Sequence, residues 1–168
     1  MISSLLKYII NFYNIDLIMT HYGLLLLFPI DNQYDYIVEK HFTILFKKKI
    51  NITLREFQDL FKFDSRHEDR VIRKRSKENI GDGNLIFFIF KAQSMEYVND
   101  FLKKKTRREI DNIRLEKTGI DRKQLPMQNH LHTTDNLTQL VDSVNYLKLK
   151  NKINNDEYIK IRKIYLTI

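Results

Sequence analysis

The chain reads as a single α+β core, a mixed or antiparallel sheet with helices on one face, carrying an extension at each end. Three observations predict it. Two short runs, "GLLLLFP" (23–29) and "LIFFIF" (85–90), are apolar at every strand position and bounded by turn residues, so they read as central strands buried on both faces. Between and after them, apolar residues recur at helical spacing. No internal repeat and no Gly/Ser/Pro-rich linker divides the 168 residues, a length that suits one domain. The expected division is an N-terminal helical arm over 1–20, the core over 21–147 and a basic extension over 148–168.

Taken in order, the arm places Leu5, Leu6, Ile9, Ile10 and Tyr13 on one helical face that needs a surface to cover. It holds Lys7, Asp16 and several amides, whereas a membrane span wants about 20 mostly apolar residues. It also lacks the pattern of a secretory signal or a transit peptide, so no membrane span is expected. The first strand closes at Pro29. Tyr36, Ile37, His41, Ile44 and Leu45 then follow helical spacing, with Lys47–Lys49 at that helix's negative end. "INITL" (50–54) reads as a second strand and "REFQDLFKF" as a short helix. Residues 65–77 are polar and basic, as an exposed segment would be. Gly81-Asp82-Gly83 makes a tight turn into the strand from Leu85 to Phe90. Met95, Val98, Phe101 and Leu102 share a helical face, and 103–125 reads mostly as polar loop around Thr118-Gly119. Thr133, Thr134 or Asp135 can cap the helix whose stripe is Leu137, Leu140, Val141, Val144 and Leu147. The tail holds a further basic helix or strand.

Composition narrows the chemistry. Lys and Arg outnumber Asp and Glu 29 to 21, for a formal charge of +8 and a pI near 9.5. Such an excess favours polyanionic partners: nucleic acid, nucleotides or an acidic membrane surface. With no cysteine, disulfides, thiol catalysis and zinc ribbons are excluded. The heavy use of Ile, Asn, Lys, Tyr and Phe is what AT-rich coding DNA produces. It points to a mitochondrial, organelle-encoded chain, with a cytoplasmic one as the alternative.

The richest stretch for chemistry is Asn129-His130-Leu131-His132-Thr133-Thr134-Asp135. It resembles the Asn-x-x-His-Gly-Ser-Asp motif of nucleoside diphosphate kinases, which lies immediately before a helix. Thr134 stands for the serine and Thr133 for the glycine. The order of elements over roughly Leu24 to Leu147 is also similar to that family, and the Gly turn with the strand after it looks like its Ser-Gly-Pro turn. The resemblance implies a ferredoxin-like α+β fold. It implies His132 as the phosphorylated residue, Asn129 as a nucleotide contact, and Thr134 and Asp135 as supports. It further implies Mg²⁺ with a nucleoside triphosphate, and oligomerisation through the core. Arg114 and Arg122 are the loose counterparts of the family's phosphate-binding arginines, and Phe61 or Phe57 of its base-stacking aromatic. The family's first strand ends in Lys-Pro-Asp, and its lysine reaches the phosphates; here the matching residues are Phe28-Pro29-Ile30. Asp31 and Lys91 lie near without standing in the lysine's place.

The chemistry is coherent on its own terms. A neutral imidazole attacks a terminal phosphoryl group and splits the transfer into two in-line steps, with cations neutralising the transferring oxygens. Losing one such cation costs on the order of 10²–10³ in rate. His130 and His132 lack a third ligand at metal spacing, so no metal site is expected. Against phosphotransfer stands a noncatalytic reading. Arg70, Arg73, Lys74 and Arg75, with Lys103, Lys104, Lys105, Arg107 and Arg108, would contact RNA phosphates beside aromatics such as Tyr97. The chain would then be a structural subunit of a ribonucleoprotein assembly such as a mitochondrial ribosome. The registered motif favours the first reading. The missing lysine, the charge and the arms favour the second.

Overall fold

The structure is a computed structural model that describes residues 20–64, 68–119 and 130–166. The N-terminal arm, Arg122 and Asn129 lie outside these. Four strands form one sheet in the order β2-β3-β1-β4, every adjacent pair antiparallel. They are β1 (His21–Leu27), β2 (Thr43–Asn51), β3 (Asn84–Ala92) and β4 (Leu131–Thr133). A 3₁₀ turn (Pro29–Tyr34) and α1 (Asp35–His41) connect β1 to β2, while α2 (Leu54–Phe61) and α3 (Asp69–Asn79) precede β3. After β3, α4 (Met95–Tyr97) runs through a π turn (Val98–Leu102) into α5 (Lys103–Thr118), and β4 is followed by α6 (Leu137–Leu149) and α7 (Asn155–Leu166). This strand order with helical crossovers is the ferredoxin-like α+β arrangement that the sequence predicted, with β1 and β3 central.

The helices cover both faces of the sheet, where one face was expected. The reason is in the strands themselves. Leu24, Leu26, Leu85, Phe87 and Ile89 pack under α2, α3, α6 and α7 through Phe57, Phe61, Ile72, Val144 and Ile161. Leu25, Leu27, Ile86, Phe88 and Phe90 pack under α1 and α5 through Ile37, Val38 and Ile110. Strands apolar on alternate sides in both phases cannot leave either face to water. Close fit is clearest at Gly23, opposite Phe90 in the β1–β3 ladder, where an added Cβ would lie 2.4 Å from Cζ of that ring. The C-terminal segment belongs to the same core, since Ile153, Ile161 and Tyr165 are buried in it.

Five local expectations are corrected. The helical spacing through Leu45 crosses a junction: α1 ends at His41, and Ile44–Lys49 lie in β2. As an edge strand, β2 carries its lysines in ion pairs, Lys47 with Asp35 and Glu39 and Lys48 with Glu157, and such lysines discourage edge-to-edge pairing. That strand ends at Asn51, and Thr53 caps α2 in a capping box with Glu56. Residues 103–118 are helix, not loop. Their buried line of Leu102, Thr106, Ile110 and Arg114 holds too few apolar residues to show in a hydropathy pattern, and Gly119 ends the helix at φ 67°. Residues 69–79 are likewise helical, with Ile72, Ser76 and Asn79 turned inward. The cap of α6 is Asn136, whose side chain accepts from the Gln139 N–H at 2.9 Å; Thr134 already uses its hydroxyl to accept from the Leu24 N–H. Among the described residues no helix is long and apolar enough to cross a membrane.

Candidate functional site

Strand β4 brings His132 opposite Leu26, on the face covered by α2 and α6. Its ring is only 8% exposed and lies edge-on to Phe61, centroids 5.3 Å apart. Phe61 belongs to an aromatic group in which Phe28 meets Phe57 at 5.3 Å and Phe61 at 5.6 Å, both edge-on. Phe28, the residue just past β1, is the one that the sequence resemblance matches to the family's lysine; it is a core aromatic and not a cation. Phe61, expected to stack on a base, is buried in that core.

His130 has a different environment. It precedes β4, and its backbone carbonyl accepts from the Phe28 N–H at 2.9 Å. Its ring, 1% exposed, reaches the helix on the other face. Nδ1 lies 2.9 Å from Oδ2 of Asp31, and Nε2 lies 2.6 Å from Oδ1 of Asp111. Arg114, one turn beyond Asp111 on α5, pairs with the other oxygen of Asp31. A ring donating from both nitrogens makes both carboxylate contacts, whereas a neutral ring donates to one only. Among the described residues the nest thus sets His130 and Arg114 against the carboxylates of Asp31 and Asp111. Tyr34 closes it: burial pushes its phenol up, Arg114 pulls it back, and Asp31 pushes it up again. Arg107, about two turns before Arg114 on the same helix, donates to the Leu131 carbonyl at 2.7 Å and so ties α5 to β4.

The predicted residues are therefore dispersed. Arg114 is committed to Asp31 and does not project toward His132's aromatic neighbours. Thr134 joins β4 to β1 through both its hydroxyl and its backbone N–H, and the Asp135 N–H donates to Gln139. The two histidines, which the i, i+2 spacing would aim together, meet separate partners. Asp31, His130 and Asp111 are the functional-looking group that sequence reasoning passed over. The Asp111/Arg114 spacing on one helix was the available signal, hidden because that segment read as loop.

The basic residues fall on opposite sides of the sheet, with α3 on one face and α5 on the other, so they do not make one surface. On α3, Arg70, Arg73 and Lys74 are exposed, while Arg75 is half-buried with its Nε buried and lacking a hydrogen-bond partner. Lys77 takes the outward place instead. On α5, Lys104, Lys105 and Arg108 are exposed, and Lys103 and Arg107 half-buried.

No protein-family model matches the chain, and no curated protein does. Among solved structures, the nucleoside diphosphate kinase of Aquifex aeolicus, in an orthorhombic crystal form, is similar at 12% sequence identity and a TM-score of 0.47, over 76% of this chain and 94% of that one.

Proposed function

We propose that this protein works by binding RNA rather than by phosphoryl transfer, as a structural subunit of a ribonucleoprotein assembly, in keeping with the organellar composition. The observation that carries the reading is the outer face of α3. Arg70, Arg73, Lys74 and Lys77 stand at i, i+3, i+4 and i+7, all exposed, and none forms an ion pair among the described residues. Other surface lysines are matched, Lys40 with Glu109, Lys62 with Asp59, Lys104 with Asp100 and Lys152 with Glu56. Exposed lysines without an ion pair among the described residues, such as Lys49, Lys91 and Lys160, do not line up as a row on one helix. A row of unmatched cations about 10 Å long suits a run of backbone phosphates, and its binding energy comes from released counterions. The aromatic packing around His132 supports the same reading, because Phe28, matched by the resemblance to the family's lysine, is a core aromatic and not a cation.

The competing reading is nucleotide binding with Mg²⁺ and transfer through phospho-His132. It has one observation in its favour: β4 delivers His132 just before α6, as the motif requires.

Salt dependence of affinity for a single-stranded RNA tests the proposal. Each neutralised phosphate contributes about −0.7 to the log–log slope. Replacing Arg70, Arg73, Lys74 and Lys77 together by serine is expected to flatten the slope by about 2–3 and to leave the circular dichroism spectrum unchanged, since exposed charges contribute little to stability. An unchanged slope and affinity would overturn it and leave the stripe a solubilising surface.

A further inference from the structure

The helical rod on the other face carries a second kind of surface. Tyr97 and Phe101 are 43% and 47% exposed, and their rings stack on each other with centroids 5.2 Å apart and planes 19° from parallel. Single exposed aromatics are ordinary, but two rings stacked on each other in water form a short apolar stack that a further ring can extend. The sequence pattern grouped Phe101 with buried Val98 and Leu102. In the structure the buried line is Val98, Leu102, Thr106 and Ile110, and the two rings lie on its flank. Phe101 sits in the π turn and Tyr97 immediately before it, and π geometry is concentrated at functional sites.

Cations surround the platform. Lys105 Nζ lies 5.5 Å from the centre of the Phe101 ring, and Arg108 is exposed one turn further on. Between residues 96 and 108 there are five cations against two acids, and one of those acids, Asp100, is already paired with Lys104. An apolar protein partner would bring no charge to answer this excess. A single-stranded nucleic acid would, because it offers base faces to the rings and phosphates to the cations at once.

We infer that Tyr97, backed by Phe101, is a base-stacking platform for single-stranded RNA, with Lys105 and Arg108 holding the adjoining phosphates. Duplex RNA keeps its bases stacked inside and cannot use the rings. This rests on the RNA-binding reading and adds a site distinct from the α3 stripe: the stripe contributes charge, and the platform contributes a preference for unpaired strands.

The test compares affinity for a uridine oligonucleotide and for a duplex of equal length, by fluorescence anisotropy at fixed salt. The Tyr97→Ala/Phe101→Ala double variant is expected to weaken single-strand binding about tenfold or more. Duplex affinity and the salt slope should stay as they are, and circular dichroism should confirm the fold. Tyr97→Leu/Phe101→Leu, which keeps apolar bulk without a π face, should lose nearly as much. Full single-strand affinity in both double variants would overturn the platform while leaving the α3 reading intact, provided the α3 serine variant still flattens the slope. A wild-type protein that binds neither oligonucleotide would overturn both.

Discussion

Two histidines stand two residues apart, and almost nothing about their surroundings is the same. His132 lies in the β4 ladder, takes the face its register with Leu26 dictates, and meets the edge of Phe61. His130 lies just before the ladder, and its ring is held between Asp31 and Asp111, with Arg114 paired to Asp31 beside it. One is an aromatic among aromatics. The other is a partner in a buried ionic network. The difference teaches that a motif's polar residues acquire their chemistry from segments far away in the chain: Asp31 is 99 residues from His130.

The largest effect expected from this contrast lies on the His130 side. Arg114→Met leaves buried carboxylates short of a cation and should cost about 3–5 kcal/mol in urea denaturation. Replacing the whole group with apolar residues of similar volume should cost far less than that single change, because a missing partner hurts more than a missing network. If Arg114→Met were neutral, the network would have no energetic unity.

On the other side, His132→Phe should cost about 1–3 kcal/mol, less than Arg114→Met, because a somewhat larger ring has to be fitted against Phe61 and its aromatic neighbours. A loss as large as that of Arg114→Met would erase the contrast between the two histidines.

The smallest effect belongs to the rim of the same helix. The Lys40 ammonium, and then the His41 ring, hold the Glu109 carboxyl below its ordinary value of 4.5. The folded state then binds fewer protons than the unfolded one. The contribution is fully present above that ordinary value and is lost as pH falls through the lower folded one. Glu109→Gln should therefore lower stability by less than about 1 kcal/mol through the neutral region and converge with the wild type at acid pH, where the wild type has itself lost the contribution.

The sheet was legible because wholly apolar runs such as Leu24–Leu27 and Leu85–Phe90 admit few structures. Those runs also carried the information that both faces are covered, although helices on one face were expected. What stayed hidden was tertiary in origin. The α5 helix buries Thr106 and Arg114, polar residues whose partners are Leu102's carbonyl and Asp31, so its inward line does not look apolar. The lysines of β2 looked like the end of a helix because the acids that answer Lys47, Asp35 and Glu39, sit on α1. At the candidate site, the motif stretch read as a loop before a helix, and the structure has His132 in the short strand β4 ahead of α6. Only packing reveals that Phe28 joins Phe57 and Phe61 in the core beside it. The outward stacking of Tyr97 on Phe101 was equally invisible, since apolar residues at helical spacing are usually core.

The central claim is that His132 is a packed residue of a binding protein and not a phosphoryl carrier. Incubation of the purified chain with Mg²⁺ and ATP labelled at the γ-phosphate tests it most directly, with a phosphohistidine recognised as acid-labile, base-stable label. The account predicts no such label on the wild-type chain or on His132→Ala. Label on the wild type that His132→Ala abolishes would contradict it.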